Sequence, residues 1–159
     1  MSTKALIQER ISRLQTDELI IQSKSDLLIK KFTSDSKRFK DKKTFNTWKR
    51  NKKIFILTDE QKGLLGFIWF EKKGVLLKNP PKKLESYKTT FAIRLYKKAR
   101  GKGLARDFMK EVFVRIDDRN IWLSTVYNNK RAINLYTKFG FKPVAKEDKR
   151  LYMIYENKK

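Results

Sequence analysis

The chain has neither cysteine nor histidine. The first absence excludes a disulfide framework, a thiolate nucleophile and any cysteine-based zinc site. The second removes the commonest general base and the commonest metal ligand, so no metal site is expected. Chemistry is left to carboxylates, tyrosine, lysine, backbone groups or water. Long apolar runs are also missing. None approaches the roughly 18 to 20 residues needed to cross a bilayer, and the N-terminus carries no compact apolar signal region, so no membrane contact is expected and a cytoplasmic location is the default. Acidic residues are scarce, 17 against 40 basic ones, for a formal net charge of +23. What is present suffices for a real core: 159 residues, 40% of them hydrophobic and 13% aromatic, point to one domain over 1–159.

The apolar pattern alternates between strand and helix periods, with no internal repeat and no low-complexity linker. It predicts a first strand over 5–14, a helix starting at Thr16-Asp17-Glu18 and running to about Phe32, and a further helix over 44–50. Runs over 53–58 and 64–70 flank Asp59-Glu60-Gln61-Lys62-Gly63 and read as a hairpin. Pro80 and Pro81 mark a loop, because they remove backbone donors and resist helix. A strand over 89–95, a helix over 104–116, a strand over 121–127, a helix over 129–138 and two closing strands, the last over 151–155, complete the order. This is an α/β chain whose mixed sheet has helices on its faces, with strands near 90, 122 and 152 in the core.

With only six glycines, their placement is informative. Two of them fall in Ala99-Arg100-Gly101-Lys102-Gly103-Leu104-Ala105, where the predicted strand gives way to a helix whose apolar residues are Leu104, Phe108, Val112 and Ile116. A helix N-terminus presents N–H groups without internal partners and carries partial positive charge, so this turn suits a diphosphate. Glycine at a strand-to-helix turn also serves backbone geometry alone. The spacing fits neither a P-loop nor the dinucleotide-binding pattern. A second segment, Asn129-Lys130-Arg131-Ala132-Ile133-Asn134-Leu135-Tyr136-Thr137-Lys138-Phe139-Gly140-Phe141, sets Ala132, Leu135, Tyr136 and Phe139 on one helical face and puts Gly140 where a left-handed cap ends the helix.

Together the two segments resemble the GNAT N-acetyltransferases. Arg100-x-x-Gly103-x-Ala105 is similar to that family's acyl-CoA pyrophosphate loop, and Asn129-x-x-Ala132-x-x-Leu135-Tyr136, followed by Gly140-Phe141, is similar to its other hallmark. The resemblance is strongest over 89–141. It implies a single-domain GNAT-like fold, a central, mostly antiparallel sheet flanked by helices, and an acetyl-CoA-dependent N-acetyltransferase that moves an acetyl group to a primary amine of a small molecule or protein by direct attack in a ternary complex. It further implies that the strand before the loop splays from the next one, and that the backbone of Ile93, Arg94 and Leu95 pairs with pantetheine like an added strand. Arg100, Gly101, Lys102, Gly103, Leu104 and Ala105 would then hold the diphosphate. The Leu95 N–H would face the acetyl oxygen, and Tyr136 would give a proton to the departing sulfur, a phenol of pKa about 10 being protonated at neutral pH. Packing is the alternative role for Tyr136. Asn129 is expected to cap its helix and to touch the cofactor. Glu71 and Glu85 are the carboxylates nearest a general base position, and neither is assigned that role; a water chain would replace one.

The charge admits two readings, a surface that attracts polyanions and a lysine-rich chain that spreads charge over solvated faces. Residues 37–53 are the densest basic stretch, interrupted by Phe39, Phe45 and Trp48. Those rings would stack on bases in a nucleic-acid-binding protein built on a catalytically silent scaffold; the spacing of Phe45 and Trp48 also suits the buried face of a helix.

Overall fold

The computed structural model describes residues 5–158. Its first strand is short. Strand β1 covers Leu6–Gln8, and the 5–14 run is cut there because Ser12 starts helix α1, Arg13–Ser25. Ser12 accepts from the Gln15 N–H while the Gln15 side chain accepts from the Ser12 N–H. This capping box satisfies two otherwise orphaned donors, and it moves the helix start ahead of the Thr16-Asp17-Glu18 expected from the sequence.

The helical region through Phe32 is two helices. Asp26 has extended backbone, closes α1 and caps α2, Leu27–Phe32. A one-turn helix α3, Asp35–Arg38, follows, and then α4, Lys42–Lys49, capped by Asp41. Strands β2, Lys52–Thr58, and β3, Leu64–Lys72, are joined by the expected turn. The Asp59 N–H donates to the Gly63 carbonyl, and the Asp59 carboxylate accepts from the N–H groups of Gln61 and Gly63.

After the proline loop a 3₁₀ turn at Lys82–Ser86 leads into β4, Thr89–Leu95. Then come a short 3₁₀ turn at Lys97–Ala99, helix α5 at Leu104–Phe113, β5 at Asn120–Val126, α6 at Lys130–Phe139, β6 at Lys142–Glu147 and β7 at Arg150–Glu156. Helix α5 stops three residues short of the expected 116, where the Arg115 N–H tightens the last turn by bonding the Val112 carbonyl. The seven strands form one sheet in the order β1-β2-β3-β4-β5-β7-β6. β1 runs antiparallel to β2, and β7 antiparallel to both β5 and β6, while β4 and β5 are parallel.

Two compact units share this sheet: residues up to Trp69 with Ile93–Phe108, and Phe70–Ala92 with Met109 onward. β3, β4 and α5 each run from one into the other. In the first, Phe39, Phe45, Trp48, Phe67 and Trp69 meet largely edge to face at centroid distances of 4.7–6.3 Å. Phe39 and Phe45 of the basic stretch are therefore core residues, and Trp48, half-buried, packs against both. Phe39 and Phe45 are fully buried, and offer no stacking surface for bases. In the second unit Phe91, Phe113, Tyr136, Phe141 and Tyr155 form a like cluster. Among the described residues no helix is long and apolar enough to cross a membrane.

Candidate active site

In the first unit, successive residues of β4 turn their N–H and C=O groups to opposite edges of the strand, as any β-strand does. The Tyr96 N–H donates to the Leu65 carbonyl of β3 at 3.0 Å, and a Cβ placed on Gly66 would lie 3.0 Å from the Arg94 carbonyl. Arg94 and Tyr96 thus face β3. Ile93 and Leu95 present their backbone groups to the other edge.

The turn at Lys97–Ala99 brings the chain to Arg100 and then to an exposed loop. Gly101 and Gly103 have φ of +78° and +71°, conformations that L side chains rarely adopt, and a Cβ on either would meet nothing within 4 Å. The glycines are needed for backbone shape, and the space in front of them is open. Leu104 begins α5, whose first four N–H groups have no partner within the helix. Lys102 is exposed, while Leu104 and Ala105 are half-buried.

The two arginines expected at the site point inward. Arg94 grips Asp35 with Nε at 2.6 Å and Nη2 at 3.0 Å, donates Nη1 to the Ile93 carbonyl at 3.0 Å, and stacks its guanidinium 4.7 Å from the Trp69 ring centre. Arg38 reaches the same carboxylate at 2.9 Å. Arg100 donates Nη1 to the Leu95 carbonyl and Nη2 to Asp26, both at 2.8 Å. Burial favours the neutral acid at Asp26, yet the Arg100 guanidinium and the Ile29 and Leu28 N–H groups outweigh it and hold the carboxyl below the usual aspartate range.

In the second unit the parallel ladder between β4 and β5 pairs Thr89 with Ile121 and Thr90 with Trp122. Phe91 and Ala92 lie past its end, although β5 stays paired with β7 from Asn120 to Val126. The start of β4 is pinned. Asp118 accepts from Thr89 Oγ1 at 2.6 Å and bonds Lys72 Nζ. Burial raises the Asp118 carboxyl, but these two partners bring it below the ordinary value. Asn129 caps α6 by accepting from the Ala132 N–H at 3.3 Å. Tyr136, only 8% exposed, packs edge to face on Phe91 and Phe141. Gly140 ends α6 with φ of +126°, as expected of the cap. Glu85 is exposed, and Glu71 is half-buried near the end of β3.

The chain thus has a strand that leaves its parallel neighbour and runs into a glycine loop opening a helix, and, later in the sequence, an Asn-capped helix ending in Gly-Phe. Both segments fall inside a profile match: the Acetyltransferase (GNAT) family covers residues 21–141. The chain belongs to the GNAT acetyltransferase family. It is therefore an acyltransferase, and the match runs through both compact units.

Curated proteins give no significant match to this GNAT sequence. Solved structures share its fold at low identity. An aminoglycoside N(6')acetyltransferase from Legionella pneumophila gives a TM-score of 0.74 at 15% identity, over 99% of this chain and 94% of that one. Spermidine N-acetyltransferase from Vibrio cholerae in complex with CoA and spermine gives 0.72 at 14%, over 96% and 95%. A protein from Pyrococcus horikoshii gives 0.72 at 22%, over 96% and 98%.

Of the residues singled out in this GNAT chain, Ile93, Leu95 and the stretch from Arg100 to Ala105 fall in the first unit, and Asn129 and Tyr136 in the second. Sequence reasoning missed Asp26 and Asp35, the buried acids that hold the two arginines. An N-cap pattern before Leu27 was legible at Asp26; its bonds to residues about seventy positions away left no local signal.

Proposed function

We propose that this protein transfers the acetyl group of acetyl-CoA to a primary amine by direct attack in a ternary complex. The observation that carries the reading is the path of β4, which leaves β5 after Thr90, turns the backbone of Ile93 and Leu95 to the edge away from β3, and ends in the open Gly101–Gly103 loop. The residues present fit a long anionic thioester. The strand edge offers the N–H groups of Ile93 and Leu95 to the amides of a pantetheine arm, the carbonyls of both residues already accepting from Arg94 and Arg100. The loop and the first turn of α5 offer N–H groups and partial positive charge to a diphosphate, and Lys102 adds an exposed cation.

Acetyl-CoA supplies an activated acetyl thioester, on which a neutral amine forms the C–N bond while the C–S bond breaks. The chain's work is to hold the two in line. In this reading the Leu95 N–H donates to the carbonyl oxygen as negative charge gathers on it. Tyr136 gives its phenolic proton to the sulfur and regains one from solvent, while the attacking nitrogen releases one to water, so protons balance without a dedicated base. The amine acceptors named for the spermidine and aminoglycoside enzymes of the same fold support a small-molecule amine as acceptor.

Tyr136→Phe tests the role of the phenol. It keeps the ring packing on Phe91 and Phe141 and removes the proton, so kcat is expected to fall on the order of 10²-fold, within the range for general acid catalysis, with little change in acetyl-CoA affinity. Equal kcat in the two proteins would reduce Tyr136 to packing.

A further inference from the structure

Asp26 is a buried acid that the chemistry above does not use. Its side chain is fully enclosed, and its oxygens accept from four donors in three parts of the first unit. Oδ1 takes the N–H groups of Leu28 at 3.1 Å and Ile29 at 3.3 Å, at the start of α2, together with Arg100 Nη2 at 2.8 Å. Oδ2 takes the Lys97 N–H at 3.1 Å, in the turn that follows β4.

Capping α2 does not require an acid here. Serine or asparagine caps as well, and an enclosed carboxylate is destabilising unless its bonds are complete. The second oxygen and the arginine account for the aspartate. Arg100 carries the connection onward, since its other arm donates to the Leu95 carbonyl at 2.8 Å. A single chain of hydrogen bonds thus runs from α2 through Asp26 and Arg100 to Leu95, and closes the turn that separates the open edge of β4 from Gly101.

We infer that Asp26 is a positioning residue for acetyl-CoA. It fixes, through Arg100 and the Lys97 N–H, the distance between the strand edge at Leu95 and the loop at Gly101–Gly103. This rests on the acetyl-CoA site proposed above, whose two grips, on the pantetheine arm and on the diphosphate, must stand at one fixed separation to hold the same molecule. Arg100 accordingly serves the loop from within, and the diphosphate is held by backbone N–H groups beyond it.

Simple electrostatics and positioning predict opposite signs. Removing an acid beside a diphosphate site strengthens anion binding by Coulomb attraction, whereas loss of the tether weakens it. The test is calorimetric titration of the full chain with acetyl-CoA, comparing wild type, Asp26→Ser, Arg100→Gln and the double variant. Serine still caps α2 but does not reach Arg100. Each single variant is expected to weaken Kd about tenfold, and the double variant to be no weaker than the worse single one, because both cut the same chain. A wild-type or tighter Kd in Asp26→Ser, or losses that add in the double variant, would overturn the proposal. Should Asp26→Ser fail to fold, Arg100→Lys decides in its place, because it keeps the charge and loses the two-armed bridge between Asp26 and the Leu95 carbonyl, with an unchanged Kd overturning the proposal. Wild-type protein that does not bind acetyl-CoA would overturn the functional reading as well, a result distinct from failure of the variants.

Discussion

Tyr96 follows Leu95 directly, and its hydroxyl is enclosed without a hydrogen-bond partner among the described residues. Burial, with the nearby Asp35 charge, pushes its ionisation well above the usual tyrosine range, although Arg94 pulls the other way. The group stays neutral. Leaving a buried hydroxyl unbonded costs about 1–3 kcal/mol, so Tyr96→Phe is expected to stabilise the fold by about 1 kcal/mol, read as a higher midpoint in thermal or urea unfolding. A lower midpoint would show that the hydroxyl is bonded after all. Motif residues were legible from sequence at this scale: Gly103, Asn129, Tyr136 and Gly140 each sit at a locally defined turn, cap or helix face. Asp26, Asp35 and Tyr96 were not, because their roles come from partners distant in sequence. Arg94 and Arg100 were legible as positions, but which way their side chains turn is set by those same buried acids.

Among the elements, β4 was predicted over its observed span because its alternation is strict and its ends are marked, while β1 and the early helices were blurred. The Ser12–Gln15 capping box and the Asp26 cap are side-chain bonds that override a weak apolar period. The one-turn helix α3 is too short to show a period at all. The contact between β3 and β4 depends on Gly66, whose added Cβ would lie 3.0 Å from the Arg94 carbonyl and 3.2 Å from Leu95 Cδ1. Since the first of these atoms is backbone, the strands would have to part locally. Gly66→Ala is expected to cost about 1–3 kcal/mol, the usual range for overpacking a core, and to lower the thermal midpoint by several degrees. An unchanged midpoint would mean that β4 is not held as tightly at Arg94 and Leu95 as the geometry requires.

For the whole molecule, the sequence made the fold class legible but not what the net charge of +23 does. In the basic stretch Phe39 and Phe45 turn into the core and Trp48 packs on them, while Lys42 and Lys43 of α4 stay exposed, and this removes the stacking that a nucleic-acid reading needed. A surface of this charge nonetheless draws any polyanion weakly, so binding of CoA compounds must be separated from charge. Calorimetric titration with acetyl-CoA at moderate salt, with CoA and ATP as controls and Gly103→Glu as the variant, makes that separation. Glutamate at Gly103 places a side chain and a negative charge where the loop is open and forces a positive φ on an L residue. Saturable one-to-one binding of acetyl-CoA that ATP does not reproduce, and that Gly103→Glu abolishes, is the predicted result; absent binding, or equal binding of all three anions, would contradict it.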